Sequence, residues 1–322
     1  MPQADKPLIL LLGRLTRFVH ERIVADYETV SASKETLDAV VAEHGDRVRG
    51  VATFGHMPVD DALMARLPKL ETVANYGVGY DTVDAVAAAR RGVVVTHTPD
   101  VLTEEVADVA MGLLINTARQ LPAAERYLRE GRWVSEGPFA LSPTTLRGRT
   151  LGIVGLGRIG KAIAARAEAF GLKIAYHGRR RQADVAYPYH DSLAGLAEAV
   201  DTLMLVVPGG EETRHMVGAD VLAALGRDGL LINIGRGSTV DETALAKALQ
   251  DGVIAGAGLD VFEDEPRVPQ ALLDAPNTVL LPHVGSASVA TREAMGQRLL
   301  DNLSGWFLNG QPPSPVPETP LS

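Results

Sequence analysis

The chain has 322 residues, of which 46% are hydrophobic and 22% are charged, and its formal net charge is −9. The length predicts two domains of roughly 150 residues each, and the composition is ordinary for a globular protein. Because the chain has no cysteine, disulfides, thiolate nucleophiles and cysteine-ligated metal sites are excluded, and we assign no metal ligands.

Charge and hydropathy also restrict the partners. Nucleic-acid binding depends on basic patches, so the negative balance argues against it. No apolar run approaches the roughly 20 residues that span a bilayer, and no membrane association is expected. The N-terminal residues lack the basic region and apolar core of a secretory signal, which favours a cytoplasmic location.

The first hundred residues alternate strand-like and helix-like segments. Apolar and β-branched runs predict strands at residues 8–12, 29–31, 48–54, 71–75 and 93–96. Helices are predicted between them, at residues 18–27, 33–44, 58–67 and 82–90, with Ser33 as an N-cap. Such alternation is typical of a parallel sheet with helices on its faces, and it predicts a first, smaller α/β domain.

Residues 103–130 predict one long helix. Residues 133–145 follow it and are rich in glycine and proline, which predicts a loop that exposes Trp133 and Phe139. Two interpretations stay open for these aromatic residues: they form a partner surface, or they pack onto the chain itself.

Residues 149–181 predict a strand, a glycine turn, a helix and a second strand without interruption. The turn is a G-x-G-x-x-G sequence between strand and helix, the context in which this pattern binds the pyrophosphate of a dinucleotide at a helix N-terminus. The alternative is a purely structural turn. We assign the cofactor-binding residues to this turn: Gly155, Gly157, Arg158, Ile159 and Gly160.

The residues after the second strand of this unit indicate which dinucleotide binds. An NAD site usually has an Asp or Glu there, about 20 residues past the glycines, for the ribose 2′-hydroxyl. This chain instead has His177-Gly178-Arg179-Arg180-Arg181, and guanidinium groups suit a phosphate because they donate paired hydrogen bonds. We predict NADP(H), with Arg179 and Arg180 on the 2′-phosphate and NAD(H) as a weaker cofactor. A solvated basic loop is the alternative.

The alternation resumes after this unit. Strands are predicted at residues 202–207, 230–234, 256–261 and 278–281, with helices at 219–225 and 242–250. A final amphipathic helix over residues 288–308 is expected to return to the first domain, and the proline-rich tail from Gln311 is expected to be extended and at most partly ordered. The predicted division is a dinucleotide-binding domain of residues 103–286 and a discontinuous substrate-binding domain of residues 1–102 plus 287–322.

Polar residues follow three of these predicted strands, at residues 233–237, 260–266 and 281–283. Ligands of open α/β sheets bind beyond the carboxyl ends of the strands, so these residues are expected to converge. His283 suits a general acid or base, and a carboxylate from the acidic run would orient its ring. Arg236 could bind a substrate carboxylate and polarise a carbonyl. Each residue alone also fits a structural role: a structural histidine, a solvated acidic loop or a helix-capping arginine.

Five segments are distinctive in combination: ANYGVGYDTVD, GLGRIGKAIA, INIGRGSTVDETAL, AGAGLDVFEDEP and LLPHVGS. In their order and over almost the whole chain, they resemble the D-isomer-specific 2-hydroxyacid dehydrogenase family. The resemblance implies two doubly wound parallel-sheet α/β domains, a flavodoxin-like substrate domain and a Rossmann cofactor domain. It also implies that His283 delivers a proton, that Glu265 pairs with His283, and that Arg236 binds the keto acid.

The same resemblance implies further contacts with the substrate and the cofactor. The amides of Val78 and Gly79 would hold the substrate carboxylate, and Asp260 would hold the nicotinamide carboxamide. A homodimer formed through the cofactor domains is also implied, with the loop of Trp133 and Phe139 reaching toward the neighbouring subunit.

The basic residues after the second strand resemble those of the NADPH-dependent glyoxylate and hydroxypyruvate reductases of this family. We therefore predict that the protein reduces a short 2-oxo acid to the D-2-hydroxy acid by hydride transfer from NADPH. Hydroxyphenylpyruvate reductase, or another broad 2-oxo acid reductase, stays open because only the pocket walls distinguish these substrates.

Other members of the family fit less well. Phosphoglycerate dehydrogenase is NAD-linked and often carries a regulatory extension, while formate and phosphite dehydrogenases need other residues in the substrate loop. A dinucleotide-sensing corepressor branch is the alternative that is not an enzyme, and nothing in this chain resembles an added partner-recognition segment.

Overall fold

The computed structural model describes residues 6–13, 15–55 and 57–321. The chain divides into two compact units, one formed by Met1–Leu102 with Ser288–Ser322 and the other by Thr103–Ala287. The division falls one residue later than the boundary predicted after residue 286. Each unit contains its own parallel sheet with flanking helices, which confirms the predicted α/β fold.

The first unit has a five-stranded parallel sheet in the order β2-β1-β3-β4-β5. Strand β1, which lies between β2 and β3, is buried along its whole length, as expected for an apolar run covered on both faces. The strands are β1 (Leu8–Leu12), β2 (Glu28–Ala32), β3 (Val48–Thr53), β4 (Thr72–Asn75) and β5 (Val94–Thr96). The helices are α1 (Arg17–Asp26), α2 (Leu37–His44), α3 (Asp61–Ala65), α4 (Ala85–Arg90) and the last helix of the chain, α13 (Val289–Asn309).

The prediction of an N-cap at Ser33 is wrong, because α2 begins at Leu37 after Thr36. The Ser33 hydroxyl donates to the carboxylate of Glu35 at 2.6 Å, and the Ser33 carbonyl accepts the amide of Thr36. Residues 33–36 therefore form a separate turn, in which the polar groups of Ser33 have local partners.

The expectation of a partly ordered tail is also wrong. Pro315 forms an antiparallel bridge with Thr96 of β5, and the amide of Val316 donates to the carbonyl of Val95 at 2.9 Å. The Val316 side chain is buried in the core of this unit. The tail lies along the edge strand, where unpaired backbone groups of a sheet are available for pairing.

The second unit has a seven-stranded parallel sheet in the order β12-β11-β10-β9-β6-β7-β8. Its strands are β6 (Thr150–Val154), β7 (Lys173–His177), β8 (Tyr189–His190), β9 (Thr202–Leu205), β10 (Leu230–Asn233), β11 (Gly256–Leu259) and β12 (Thr278–Leu280). Its helices are α5 (Thr103–Arg119), α6 (Leu121–Arg129), α7 (Arg132–Glu136), α8 (Arg158–Ala169), α9 (Leu193–Ala199), α10 (Ala219–Leu225), α11 (Glu242–Gln250) and α12 (Gln270–Leu273). The strand order reverses between β6 and β9, and ligands of such sheets bind at that reversal.

The predicted helix over residues 103–130 is interrupted at Gln120, whose φ is +52°. Pro122 lies in the first turn of α6, and a proline there lacks the amide that would bond the carbonyl four residues earlier. That carbonyl belongs to Ala118, and it accepts the hydroxyls of Ser142 and Thr144 instead. The break therefore provides the attachment point for the segment that follows α7.

Helices α7, α9 and α12 and the short strand β8 were not predicted. The first of them falls in the segment predicted to be a loop. Among the described residues, no helix is both long and apolar enough to cross a membrane. In the same part of the chain, no group of three or more His, Asp or Glu side chains is placed to hold a metal ion.

Candidate active site

The glycine turn joins β6 to α8, and its three glycines have different surroundings. Gly155 has a φ of +94°, and a Cβ there would lie 2.8 Å from a methyl of Val207. A Cβ at Gly160 would lie 2.4 Å from the Gly155 carbonyl oxygen. Neither position has room for a larger residue, so both glycines are required by the turn itself.

Gly157 is different, because a Cβ built on it meets no protein atom within 4 Å. It is the N-cap of α8 and is exposed, and Arg158 beside it is exposed as well. Protein packing therefore does not explain a glycine at this position. Close approach of a ligand to the helix N-terminus would explain this glycine, and the free amides there suit a pyrophosphate.

The arginine run follows β7, and the three side chains of residues 179–181 are exposed. Hydrogen bonds hold its ends: the Tyr189 hydroxyl donates to the Gly178 carbonyl at 3.1 Å, and the Gln182 amide donates to the Tyr176 hydroxyl at 2.8 Å. The Gln182 side chain also donates from Nε2 to the carbonyl of Leu156 at 2.7 Å. Since Leu156 lies in the glycine turn, this bond ties the arginine run to that turn.

The three strand ends with polar residues belong to β10, β11 and β12, which are neighbours in the sheet. After β12, His283 has a φ of +53°, and its Nδ1 lies 2.8 Å from Oε2 of Glu265, which follows β11. The other carboxylate oxygen of Glu265 accepts the amide of Phe262 at 2.9 Å. A carboxylate can only accept, so Nδ1 donates and Nε2 is the ring nitrogen left for a substrate.

Asp260 connects the same two strand ends. Its side chain is buried and accepts the amides of Val284 and Gly285 at 2.7 and 2.8 Å. Burial raises the pKa of Asp260, and the two amides offset part of that effect. Because Val284 and Gly285 directly follow His283, the carboxylate fixes the backbone that carries the imidazole. The contact of Asp260 with the nicotinamide stays a prediction.

Arg236 lies in the turn after β10, between two glycines that permit close packing. A Cβ at Gly237 would lie 1.8 Å from the carbonyl carbon of Phe262, and one at Gly235 would lie 2.7 Å from the Val207 carbonyl oxygen. The turn of Arg236 thus packs against Phe262, whose amide holds Glu265. Nη1 of Arg236 donates to the Gly235 carbonyl at 2.8 Å. The structure therefore places the turns that carry Arg236, Glu265 and His283 side by side.

The other predicted substrate ligands, Val78 and Gly79, lie in the first unit, in the loop after β4. Asn75 donates from Nδ2 to the carbonyls of Gly77 and Gly79 at 3.1 and 3.0 Å. His97 Nδ1 lies 2.9 Å from the carbonyl oxygen of Val78. The loop therefore has its own internal hydrogen-bond frame.

A second ionic cluster near the strand ends was missed by the sequence reasoning. Glu263 accepts from Nε2 of His215 at 2.9 Å and from Nη1 of Arg214 at 2.6 Å, and its amide donates to Glu242 at 2.8 Å. Partial burial raises the pKa of Glu263, but the bonds from His215 and Arg214 outweigh it and leave the pKa lowered. No spacing in the sequence could have revealed this cluster, because its members come from two separate loops and from the first residue of helix α11.

The two aromatic residues after α6 differ. Trp133 is 61% exposed, as predicted. Phe139 is half-buried and its ring packs edge-on against Tyr127, with the centroids 5.4 Å apart. The expectation that Phe139 is exposed is therefore wrong, and packing onto the chain itself is the correct interpretation for that residue.

Comparison with known proteins identifies the family of this chain. Residues 111–285 match the sequence model of the D-isomer specific 2-hydroxyacid dehydrogenase, NAD binding domain. The chain belongs to the D-isomer specific 2-hydroxyacid dehydrogenase family, as the resemblance of its motifs predicted.

Within the family, similarity extends over nearly the whole chain. A crystal structure of an NADPH-dependent glyoxylate/hydroxypyruvate reductase from Sinorhizobium meliloti, in complex with NADP and malonate, is 57% identical in sequence to this chain. It has a TM-score of 0.94, with 98% of each chain covered. A glyoxylate/hydroxypyruvate reductase of Arabidopsis thaliana is 40% identical over 98% of this chain and 99% of its own length. A hydroxyphenylpyruvate reductase of Plectranthus scutellarioides is 44% identical over 89% of each.

Proposed function

We propose that this protein reduces a short 2-oxo acid, glyoxylate or hydroxypyruvate, to the D-2-hydroxy acid with NADPH. One observation carries the proposal: the Glu265–His283 pair lies beside the turn of Arg236, in a sheet whose glycine turn leaves room at Gly157. The relatives from Sinorhizobium meliloti and Arabidopsis thaliana, whose names give these substrates, support it.

The cofactor fits the residues of the second unit. The glycine turn, with Arg158 and Ile159, would hold the pyrophosphate, and Asp260 the nicotinamide end. Arg179 and Arg180 would hold the 2′-phosphate, which favours NADP(H) and leaves NAD(H) a weaker cofactor. When bound, NADPH supplies the hydride that reduces C2 of the oxo acid.

His283 supplies the proton that the carbonyl oxygen takes up as C2 is reduced. Its Nδ1 donates to Glu265, so the transferable proton is on Nε2, and the carboxylate stabilises the positively charged ring before transfer. Arg236 binds the substrate and polarises its carbonyl. The amides of Val78 and Gly79 bind the substrate carboxylate.

These roles divide between the two units. We assign dinucleotide binding to the unit of Thr103–Ala287 and substrate binding to the unit of Met1–Leu102 with Ser288–Ser322. The match of residues 111–285 to an NAD binding domain supports the first assignment.

Oxidation of NADPH and of NADH at a single enzyme concentration tests the proposal. Glyoxylate, hydroxypyruvate, pyruvate and phenylpyruvate are compared as substrates. We expect the first two to give the highest kcat/KM, and NADPH to give a lower KM than NADH. Better turnover with NADH would overturn the assignment of the arginines. No turnover on any acid, with NADPH still bound, would favour a dinucleotide-sensing binding protein.

A second candidate is hydroxyphenylpyruvate reduction, which the Plectranthus scutellarioides relative favours. Both functions need the same proton donor, carboxylate site and hydride donor. They differ only in the room for an aromatic ring at C3. A kcat/KM for 4-hydroxyphenylpyruvate above that for hydroxypyruvate would select this candidate.

We also propose a homodimer formed through the second unit. Exposed apolar side chains cluster in sequence on α6, on α7 and just beyond, including Leu128, Trp133, Leu141 and Val134, the last being 95% exposed. Such a surface fits association with a second copy. Light scattering during size-exclusion chromatography is expected to give twice the mass of one chain, and a monomer would contradict the proposal.

Use of the cellular NADPH pool makes a cytoplasmic location the expected one, which cell fractionation tests.

A further inference from the structure

The loop of residues 75–79 has more built-in order than binding by two backbone amides requires. We propose that Asn75 and His97 are positioning residues that aim the amides of Val78 and Gly79 at the substrate carboxylate. The inference rests on the proposed function, in which those two amides bind the carboxylate. The side chains of Asn75 and His97 would touch neither substrate nor cofactor, but they would determine where the two amide hydrogens point.

The first step follows from peptide geometry. A peptide unit is planar and trans, so the C=O of one residue and the N–H of the next point in opposite directions. Fixing the carbonyl of Gly77 therefore fixes the direction of the Val78 N–H. Fixing the carbonyl of Val78 likewise fixes the direction of the Gly79 N–H.

The Gly77 carbonyl has two donors. Nδ2 of Asn75 lies 3.1 Å from it, and the amide of Thr98 lies 2.9 Å from it. With both lone pairs of this oxygen used, the peptide unit cannot rotate without losing two hydrogen bonds. The Val78 N–H is thereby directed away from Asn75 and Thr98.

The Val78 carbonyl is held by His97. Nδ1 of the imidazole lies 2.9 Å from the oxygen, and a carbonyl can only accept, so Nδ1 carries the hydrogen. This bond exists for the neutral Nδ1–H tautomer and for the protonated ring alike. The Gly79 N–H consequently points away from His97, and Asn75 completes the frame by donating to the Gly79 carbonyl at 3.0 Å.

His97 is itself fixed by the C-terminal part of the chain. Its carbonyl accepts from Nδ2 of Asn302 at 3.0 Å and from the hydroxyl of Ser314 at 2.8 Å. Its ring packs edge-on against Tyr80, with centroids 5.4 Å apart, and the Tyr80 hydroxyl donates to Glu318 at 3.0 Å. Helix α13 and the ordered tail therefore hold the backbone of His97 and the Tyr80 ring against which its imidazole packs.

The frame explains why two neutral amides can serve as an anion site. Donors that are already aimed lose little conformational freedom when the anion binds, so more of the interaction energy appears as affinity. Removing one aiming bond leaves the amides present but free to turn. The expected loss is in substrate affinity, with cofactor affinity and folding little changed.

The test compares His97→Phe, His97→Asn and Asn75→Leu with the wild type, all saturated with NADP. Phenylalanine keeps the ring against Tyr80 but removes Nδ1–H, whereas asparagine can return a donor near the Nδ1 position. Oxalate, a dicarboxylate that needs no turnover, is titrated calorimetrically. KM values for hydroxypyruvate and NADPH, and melting temperatures, are measured alongside.

We expect His97→Phe to weaken oxalate binding by about 3- to 12-fold, the equivalent of one hydrogen bond of about 0.7–1.5 kcal/mol. Asn75→Leu removes two hydrogen bonds and should weaken it at least as much. The KM for hydroxypyruvate should rise by a similar factor while that for NADPH changes less than about twofold, and His97→Asn should recover part of the loss.

Two results would overturn the inference: oxalate binding unchanged in folded variants, or no oxalate binding by the wild type. If the wild type reduces none of the oxo acids but binds oxalate, and the variants weaken that binding, the proposed function fails while the aiming role survives.

Discussion

The Glu265–His283 pair and the arginine run of residues 179–181 are two charged sites in the same unit, and they are built differently. Both oxygens of Glu265 are bonded, and Asp260 holds the backbone just after His283. The arginine side chains are exposed and form no ion pair with any residue in the described ranges. Only the ends of their loop are fixed.

The difference follows from what each site must do. Proton transfer needs a donor and acceptor within hydrogen-bond reach, so a small displacement removes most of the effect. Attraction between a guanidinium and a phosphate falls off slowly with distance, and flexible side chains can still reach the ligand. A site whose groups are held by several hydrogen bonds should respond steeply to substitution, and a site of exposed side chains should respond gradually.

The steepest response is expected for His283→Asn. The variant removes the proton donor while keeping a polar side chain, and kcat should fall by about 10²- to 10⁴-fold, the usual contribution of a general acid. NADPH binding, followed by its fluorescence, should be unchanged. Near-normal turnover would show that His283 is not the proton donor, and the Glu265–His283 pair would then not be the site that is most sensitive to substitution.

The glycine turn allows a matched pair of substitutions. Gly157→Val puts a side chain into space that no protein atom occupies, so the melting temperature should not change. NADPH affinity should fall about 5- to 150-fold, as overpacking of about 1–3 kcal/mol would produce.

In Gly160→Ala the added methyl would meet the Gly155 carbonyl at 2.4 Å, so this control should lose stability even without cofactor. Equal effects of the two substitutions on stability would show that Gly157 is a structural glycine. Calorimetric melting of the two apo proteins makes the distinction.

The exposed arginine site should respond more gradually. Arg179→Ala and Arg180→Ala are each expected to raise the KM for NADPH by about 10-fold or more, since a hydrogen bond to a charged group contributes about 1.5–3 kcal/mol. The KM for NADH should not change. Arg181→Ala is the control, because it removes the same charge from the same loop without a predicted ligand. The same rise in the KM for NADPH in all three variants would indicate attraction by the overall positive charge of the loop. An unchanged KM in all three would indicate that the loop is solvated and does not bind the cofactor.

The smallest effect is expected for Gln182→Leu, which cuts the bond to the Leu156 carbonyl but leaves the arginines in place. The KM for NADPH should rise about 2- to 10-fold, the range of a neutral hydrogen bond of about 0.5–1.5 kcal/mol. Lys161→Gln, which breaks an exposed ion pair with Asp184 of the same loop, should leave the KM unchanged. An effect of Lys161→Gln as large as that of Gln182→Leu would mean that the bond from Gln182 to Leu156 has no special role.

Local patterns predicted the elements whose ends carry strong signals. Helix α11 has the predicted bounds, and a strand precedes the glycine turn as predicted, because β-branched residues, glycines and caps mark these elements in the sequence. The polar residues after β10, β11 and β12 were expected to converge, since parallel strands bring their carboxyl ends to one edge. The break at Gln120 was missed because a proline in the first turn of a helix also fits a continuous helical pattern with a kink.

The family, the two α/β units and the residue types at each strand end could be predicted from the amino-acid sequence, because they depend on contiguous patterns a few residues long. The partner of each side chain became evident only from the fold. The bonds from His97 to Val78, from Asp260 to the residues after His283, and from Gln182 to the glycine turn join loops that are distant along the chain. Such pairings depend on how strands align in the sheets, and a side chain's chemistry shows that it can bond without showing with which group.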